Sequence, residues 1–199
     1  MHTQMNIAVV DYKGGNVQSV LFALERLGVS ATLTADAETI RRADKVLFPG
    51  EGEAASAMRE LRTQGLDKLL PTLTQPFLGI CLGMQLLGTH SEENDTDLLG
   101  ILPFAVQRFP ASADYKVPHM GWNTLHALQS PLFAGLREGD YVYFVHSYFA
   151  PVGDYTIAQG RYPAPFSAAV QHRNFYAVQF HTEKSGAVGT RILQNFLTL

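Results

Sequence analysis

With a single cysteine in 199 residues, no internal disulfide can form, and no pair of the seven histidines or the cysteine stands at zinc-ligand spacing, so no metal is expected. An excess of basic charge is also lacking. Fifteen Lys and Arg face 18 Asp and Glu, a net charge of -3 with no basic cluster, which gives no reason to expect nucleic acid or an anionic membrane as partner. Long hydrophobic runs are missing too: the N-terminal apolar run, Ile7 to Val10, is too short for a signal-peptide core or a membrane span, so a cytoplasmic protein is expected. There is no repeat, linker or low-complexity tract. What remains is a chain 46% hydrophobic, long enough for one domain over residues 1–199 with a well-buried core.

The lone cysteine sits at the most informative point of the chain. Phe77-Leu78-Gly79-Ile80-Cys81-Leu82-Gly83-Met84-Gln85-Leu86-Leu87 reads as a short buried strand, a tight turn and the first turn of a helix. Gly79 and Gly83 flank Cys81 symmetrically, giving Gly-x-Cys-x-Gly, the thiol counterpart of a nucleophile elbow, in which small residues let strand and helix approach. The thiol then projects above a sheet. A helix N-terminus there favours the thiolate, and the Leu82 N–H can bond an oxyanion.

Upstream, strand and helix alternate. Asn6 to Asp11 reads as a strand, Val17 to Leu27 as a helix closed by Gly28, Val29 to Leu33 as a strand and Ala37 to Ala43 as a short helix. Lys45 to Phe48 is a third strand running into Pro49-Gly50-Glu51-Gly52, and Glu53 to Gln64 suits a helix closed by Gly65. Downstream of a polar stretch, His90 to Gly100, the pattern turns to strands: Ala105 to Phe109, Tyr141 to Phe149, Tyr155 to Tyr162, and a hairpin over Phe166 to Phe180 turning at Arg173-Asn174, before a closing helix from Ala187 to Leu197. The fold class expected is α/β: a single domain with a central mixed, largely parallel sheet flanked by helices. Ligands in such sheets lie beyond the carboxyl ends of the parallel strands, where Asp11, Pro49 and Cys81 fall.

A cysteine nucleophile needs a base. Of the seven histidines only His181 has an orienter in view, because Glu183 follows two residues later and in extended chain both side chains leave the same face. Cys81, His181 and Glu183 are thus the candidate catalytic set. The loop Pro49-Gly50-Glu51-Gly52 can supply a second backbone N–H to an oxyanion.

These residues resemble the class I, or triad, glutamine amidotransferases, with Gly-Ile-Cys-Leu-Gly-Met-Gln at the elbow and His-x-Glu near the C-terminus. Asp11-Tyr12-Lys13-Gly14-Gly15-Asn16, Pro49-Gly50-Glu51-Gly52, Pro118-His119-Met120-Gly121-Trp122-Asn123, Tyr143-Phe144-Val145-His146-Ser147-Tyr148 and His181-Thr182-Glu183-Lys184-Ser185 narrow the resemblance, over nearly the whole chain, to the glutaminase subunits of imidazole glycerol phosphate synthase. The resemblance implies that L-glutamine is the substrate, attacked by Cys81 to give a glutamyl thioester, with the second oxyanion N–H coming from Glu51 or Gly52, and that no cofactor is used. It implies substrate contacts from Gln85 and Glu93 and from the backbone at Gly50, Gly52, Ser147 and Tyr148. It also implies a separate barrel-shaped cyclase subunit as heterodimer partner, receiving ammonia for histidine biosynthesis, with Tyr12, Asn16, Trp122 and Lys184 at the interface.

Three positions depart from the family pattern: Lys13 where Gly is usual, Glu51 where an apolar residue is usual, and Thr182 where Pro is usual. None removes a catalytic atom. A Glu51 carboxylate facing the pocket would repel an oxyanion, so its side chain is expected to point outward. Other readings of the same residues are the glutaminase subunit of a different amidotransferase, a stand-alone cysteine hydrolase of peptides or γ-glutamyl compounds, and a non-catalytic binding subunit.

Overall fold

The computed structural model describes residues 5–14, 17–110 and 113–199. The first half alternates as its apolar periodicity predicts: β1 (Ile7–Val10), α1 (Gln18–Arg26), β2 (Ala31–Thr34), α2 (Ala37–Arg42), β3 (Lys45–Gly50), α3 (Ala54–Thr63), α4 (Leu66–Leu69), β4 (Phe77–Cys81) and α5 (Leu82–Gln85). Every residue of β1, β3 and β4 is buried, as interior parallel strands covered on both faces require. Helix α1 stops where Gly28, at φ +74°, donates to the Glu25 carbonyl while Val29 donates back to Leu24. The start of α2 is fixed by Asp36, whose carboxylate accepts from the Thr39 N–H at 2.7 Å.

The second half holds β5 (His90–Ser91), β6 (Thr96–Asp97), β7 (Ala105–Arg108), β8 (His119–Thr124), β9 (Tyr141–His146), β10 (Tyr148–Phe149), β11 (Thr156–Arg161), β12 (Pro165–His172), β13 (Phe175–Val178) and α6 (Gly186–Thr198). The central sheet has seven strands in the order β11-β12-β13-β4-β3-β1-β2. Neighbours from β13 through to β2 pair parallel, while β11, β12 and β13 pair antiparallel in succession, so the sheet is mixed and largely parallel, as expected. Arg173, at φ +54°, makes the β12–β13 turn where the sequence placed it.

Some features differ from the sequence reading: Tyr141 to Phe149, read as one strand, breaks at Ser147 into β9 and β10, which lie in different sheets. The polar stretch from His90 folds into β5 and β6 and joins β7 and β10 in a separate four-stranded sheet. The segment from His119, outside the strands expected from periodicity, is a strand: β8 pairs antiparallel with β9 from His119 opposite His146 to Thr124 opposite Tyr141. Pro118 and Gly121, the latter at φ +135°, conceal its alternation, in which His119 is buried while Met120 and Trp122 are exposed.

The decisive feature for the site is the adjacency of β3, β4 and β13. Gly50 lies opposite Cys81, and Ile80 opposite Val178. Three neighbouring parallel strands therefore deliver the loop after Gly50, the cysteine and the segment ending in His181 to one edge of the sheet.

Candidate active site

Cys81 ends β4 with φ +55° and ψ -112°, a conformation that a non-glycine residue holds only under constraint. The constraint is close packing of α5 on the sheet. A Cβ on Gly83 would lie 1.8 Å from the Phe48 carbonyl oxygen, and one on Gly79 would lie 2.9 Å from the Gly83 carbonyl oxygen and 3.0 Å from the Ala177 Cβ. Glycine is needed at both, as the elbow reading required. Helix α5 is a single turn, shorter than the sequence suggested, so the local field at the sulfur owes more to individual N–H groups than to a macrodipole.

His181 and Glu183 are almost wholly buried side chains, with Nδ1 of the imidazole 2.7 Å from Glu183 Oε1. The carboxylate can only accept, so the proton is on Nδ1 and Nε2 is turned to the cysteine side. The pair meets through a 3-10 turn over Thr182–Lys184, not through the extended backbone expected, and that turn folds Glu183 back under the ring. Strand β9 clamps the segment: the His181 N–H donates to the Tyr143 carbonyl, and Ser185 Oγ accepts from the Tyr143 N–H while donating to the His181 carbonyl. Burial opposes a charge on His181, but hydrogen bonds to Cys81 and Glu183 and the negative charge of both outweigh it and push the imidazole up to about 10.

A cleft of about 390 Å³ opens over the sulfur, within the usual range for small-molecule sites. Glu51, Gly52, Leu82, Gln85, Glu93, Ser147 and Tyr148 all line it together with Cys81 and His181. Gln85 Nε2 donates to the Tyr148 carbonyl and to Gln179 Oε1, each at 2.9 Å. Glu93 accepts the Ala54 N–H at 2.7 Å, and burial pushes its carboxyl upward against that bond. Gly50 lies below the cleft instead of lining it, at the foot of the loop, where a Cβ would lie 2.1 Å from the Tyr12 hydroxyl.

The Glu51 side chain does not point away as expected. It lines the cleft with Oε1 3.2 Å from Lys184 Nζ and 4.0 Å from His181 Nδ1. The Lys184 ammonium offsets the carboxylate, a compensation 133 residues away in sequence. Lys13, the second departure, is exposed at φ +59°, a backbone state that glycine adopts without strain. Thr182, the third, is buried, and its hydroxyl has no partner among the described residues.

The interface candidates divide. Trp122 is 55% exposed and Lys184 lies at the rim of the cleft, but Tyr12 is 1% exposed, packed on Phe48, so it belongs to the core and not to an open surface. Its ring fills the space beside Gly14 and Gly50 from within. Asn16 lies outside the described residues. Sequence reasoning passed over His146, which lines the cleft, and Gln179, buried behind Gln85; the first stood among seven histidines with no orienter beside it, the second was one of a run of apolar and polar residues at the end of a strand.

Among the described residues, Glu51, His181 and Glu183 are the one group whose ligand atoms lie close enough, within 4.8 Å, to face a metal ion. The 2.7 Å between His181 and Glu183 is a hydrogen-bond distance; a tetrahedral ion with bonds of ~2.1 Å would hold the same atoms ~3.4 Å apart. The arrangement is that of an imidazole oriented by a carboxylate. Among the described residues no helix is long and apolar enough to cross a membrane.

The chain is similar to known proteins over its whole length. It is 55% identical over 196 residues to the imidazole glycerol phosphate synthase subunit HisH of Bacteroides thetaiotaomicron, covering 98% of this chain and 100% of that one. It is 50% identical over 194 residues to HisH 2 of Legionella pneumophila (strain Lens), with 97% and 98% covered, and 46% identical over 201 residues to HisH of Vibrio cholerae, with 98% of each covered. A crystal structure of a glutamine amidotransferase superposes with a TM-score of 0.74 at 20% identity, covering 96% and 97% of the two chains. The structure of PurLQS from Thermotoga maritima gives 0.73 at 17% identity, covering 98% and 99%. The family described as glutamine amidotransferase class-I matches residues 8–199, and the chain belongs to that family, within the group of HisH subunits of imidazole glycerol phosphate synthase.

Proposed function

We propose that this chain is the glutaminase subunit of an imidazole glycerol phosphate synthase, hydrolysing L-glutamine to glutamate and ammonia for a separate cyclase subunit in histidine biosynthesis. The observation that carries the reading is the His181–Glu183 pair, at 2.7 Å, just beyond the end of the strand that neighbours a cysteine held at φ +55°, in a chain 55% identical over nearly its whole length to a HisH subunit.

Each step follows from the groups in place. Cys81 Sγ, its proton passed to His181, adds to the carboxamide carbon of glutamine, and the carbonyl electron pair moves onto oxygen, where the N–H of Leu82 and that of Glu51 or Gly52 would hold it. His181 gives a proton to the departing amine; the C–N bond breaks and ammonia and a glutamyl thioester result. Water then attacks the thioester as His181 takes its proton, and the C–S bond breaks as His181 hands that proton to sulfur, returning the thiol and releasing glutamate. Glu183 stays ionised and orients the ring throughout. Gln85, Glu93 and the Ser147–Tyr148 backbone would hold the amino-acid end of the substrate.

Ammonia released to water would be protonated and lost, so the cleft needs a cover. The outer face of the β8–β9 ribbon suits one. Met120, Trp122 and Tyr141 stand 63%, 55% and 58% exposed on it, beside Lys184 at the cleft rim, and aromatic residues of this kind anchor interfaces. We assign the barrel-shaped cyclase to this face. The loop at Glu51 is hinged on Gly52, at φ +100°, so the second oxyanion donor depends on the orientation of a loop beside that face. Steady-state glutaminase assays on the free chain, on its complex with the cyclase, and on the complex with bound nucleotide test this. A kcat at least a hundredfold higher in the full complex, with glutamine KM little changed, is expected; equal kcat in all three states would contradict it.

A further inference from the structure

One wall of the cleft carries His146, and behind it stands a second histidine. His119 on β8 and His146 on β9 are direct neighbours across the ladder, both turned inward, 4% and 5% exposed. Their rings meet, His119 Nδ1 to His146 Nε2, at 3.1 Å. Two neutral imidazoles can bond only if one donates, and the outer contacts decide which.

His146 Nδ1 lies 2.7 Å from the Tyr148 carbonyl oxygen, which can only accept. That nitrogen therefore carries the proton, and His146 Nε2 is the acceptor. His119 Nδ1 must then donate, leaving its Nε2 to accept from Asn123 Nδ2 at 3.3 Å. The sense of the Asn123 amide is set independently: Nδ2 also donates to the Arg161 carbonyl at 3.1 Å, and Oδ1 accepts from the Thr124 N–H at 2.8 Å. The bonds run one way, from Asn123 through both rings to Tyr148. Phe144 and Tyr162 stack on His119, and Phe109 and Phe166 close on His146; among the described residues neither ring has a carboxylate partner.

The chain of bonds ends on a backbone group that the cleft uses. The Tyr148 carbonyl has two lone pairs, one taken by His146 and the other by Gln85 Nε2 at 2.9 Å. The remaining Gln85 N–H goes to Gln179 Oε1, also at 2.9 Å, and Gln179 Nε2 in turn lies 3.8 Å from Cys81 Sγ. With both N–H groups spent on protein acceptors, the Gln85 amide has one sense, and its Oε1 is the atom left to meet a substrate donor.

We propose that His119 and His146 are positioning residues: their one-way chain of hydrogen bonds fixes the Tyr148 carbonyl and the sense of the Gln85 amide, so that the cleft offers an acceptor oxygen to an N–H group of the bound amino-acid amide. This rests on the glutaminase reading for its kinetic consequence, but the bond directions can be measured without it. Reversing either ring would place two donors or two acceptors face to face, and the Gln85 amide would lose its single sense.

The experiment has two arms. In the full chain labelled with 15N-histidine, imidazole nitrogen shifts at pH 7 report tautomers. Both rings are expected neutral with the proton on Nδ1; an Nε2–H form or an imidazolium at either would overturn the proposal. In the complex with the cyclase, His146→Phe keeps a flat ring but loses the donor, and should raise glutamine KM about tenfold with kcat within about threefold, the size of one hydrogen bond. His146→Asn puts an N–H where Nδ1 stood and should recover most of that loss. Equal KM for the two variants, or a fall confined to kcat, would overturn the positioning role. If His146→Phe does not fold, His119→Phe, between Phe144 and Tyr162, is read against the same KM-to-kcat criterion. A wild-type complex with no glutaminase activity would instead count against the proposed function, with the tautomers still deciding the bond directions.

Discussion

His181 and His146 border the same cleft and are 3% and 5% exposed, yet their surroundings drive them to opposite charge states. On the triad side a carboxylate and a sulfur lie within reach, and His181 is pushed up to about 10. On the histidine wall, burial pushes His146 down to about 3 against the pull of the Tyr148 carbonyl, and the neighbouring His119 and His181 add to the effect; burial alone takes His119 down to about 4. One side chain type thus serves as a proton carrier in one place and as a neutral, directional link in the other. Accessibility is the same for both, so the partner atom decides the role.

Removing the partner on the triad side should have the largest effect. Glu183→Gln keeps the shape but loses the charge and the acceptor that fix the His181 tautomer; glutaminase kcat should fall by about four orders of magnitude, the scale of losing the orienting carboxylate in a catalytic triad. A loss under tenfold would mean that His181 does not depend on Glu183. Folding should be retained, which far-ultraviolet circular dichroism of the variant would verify.

On the wall, acid should separate the two regions next. The unfolded chain binds protons on His119 and His146 near pH 6.5, the folded chain only near pH 4 and pH 3, so their contribution to stability is complete above pH 6.5 and is lost as pH falls. From pH 7 to pH 5 each should cost about 2 kcal/mol. His181 has the reverse sign: its folded value is raised, so its contribution is present below pH 6.5 and fades as pH rises through about 10. Denaturant unfolding of wild type and of His119→Phe/His146→Phe at the two pH values measures the difference. Equal losses in both proteins would place the acid sensitivity elsewhere.

The smallest effect is expected where the triad side meets solvent. Glu51 and Lys184 are each more than a third exposed, so their ion pair contributes at most about 1 kcal/mol. Glu51→Val should leave glutamine KM within about twofold in the complex and shift the pH–rate profile by less than about one unit. A tenfold rise in KM would show that this carboxylate contacts substrate.

The triad side was legible in the sequence because its signals are local. Gly79, Cys81 and Gly83 lie within five residues, as do His181 and Glu183, and each group has a shape of its own. The parallel alternation that places them at one sheet edge was legible from periodicity. The wall was not. His119 and His146 are 27 residues apart and meet only because β8 and β9 pair in one register, while Pro118 and Gly121 conceal the alternation of β8. The Glu51 orientation and the burial of Tyr12 depended likewise on distant partners, Lys184 and Phe48, which no local pattern displays.

The central claim, that Cys81 is the nucleophile feeding ammonia to a partner, is tested most directly with Cys81→Ala in complex with the cyclase chain. Alanine fits within the elbow and leaves the sheet edge and the ribbon face unchanged, so the complex should form. Product formation is then measured with glutamine and, separately, with ammonium salt as nitrogen source. No product from glutamine and wild-type product from ammonium are expected. Product from glutamine in the Cys81→Ala complex would contradict the claim.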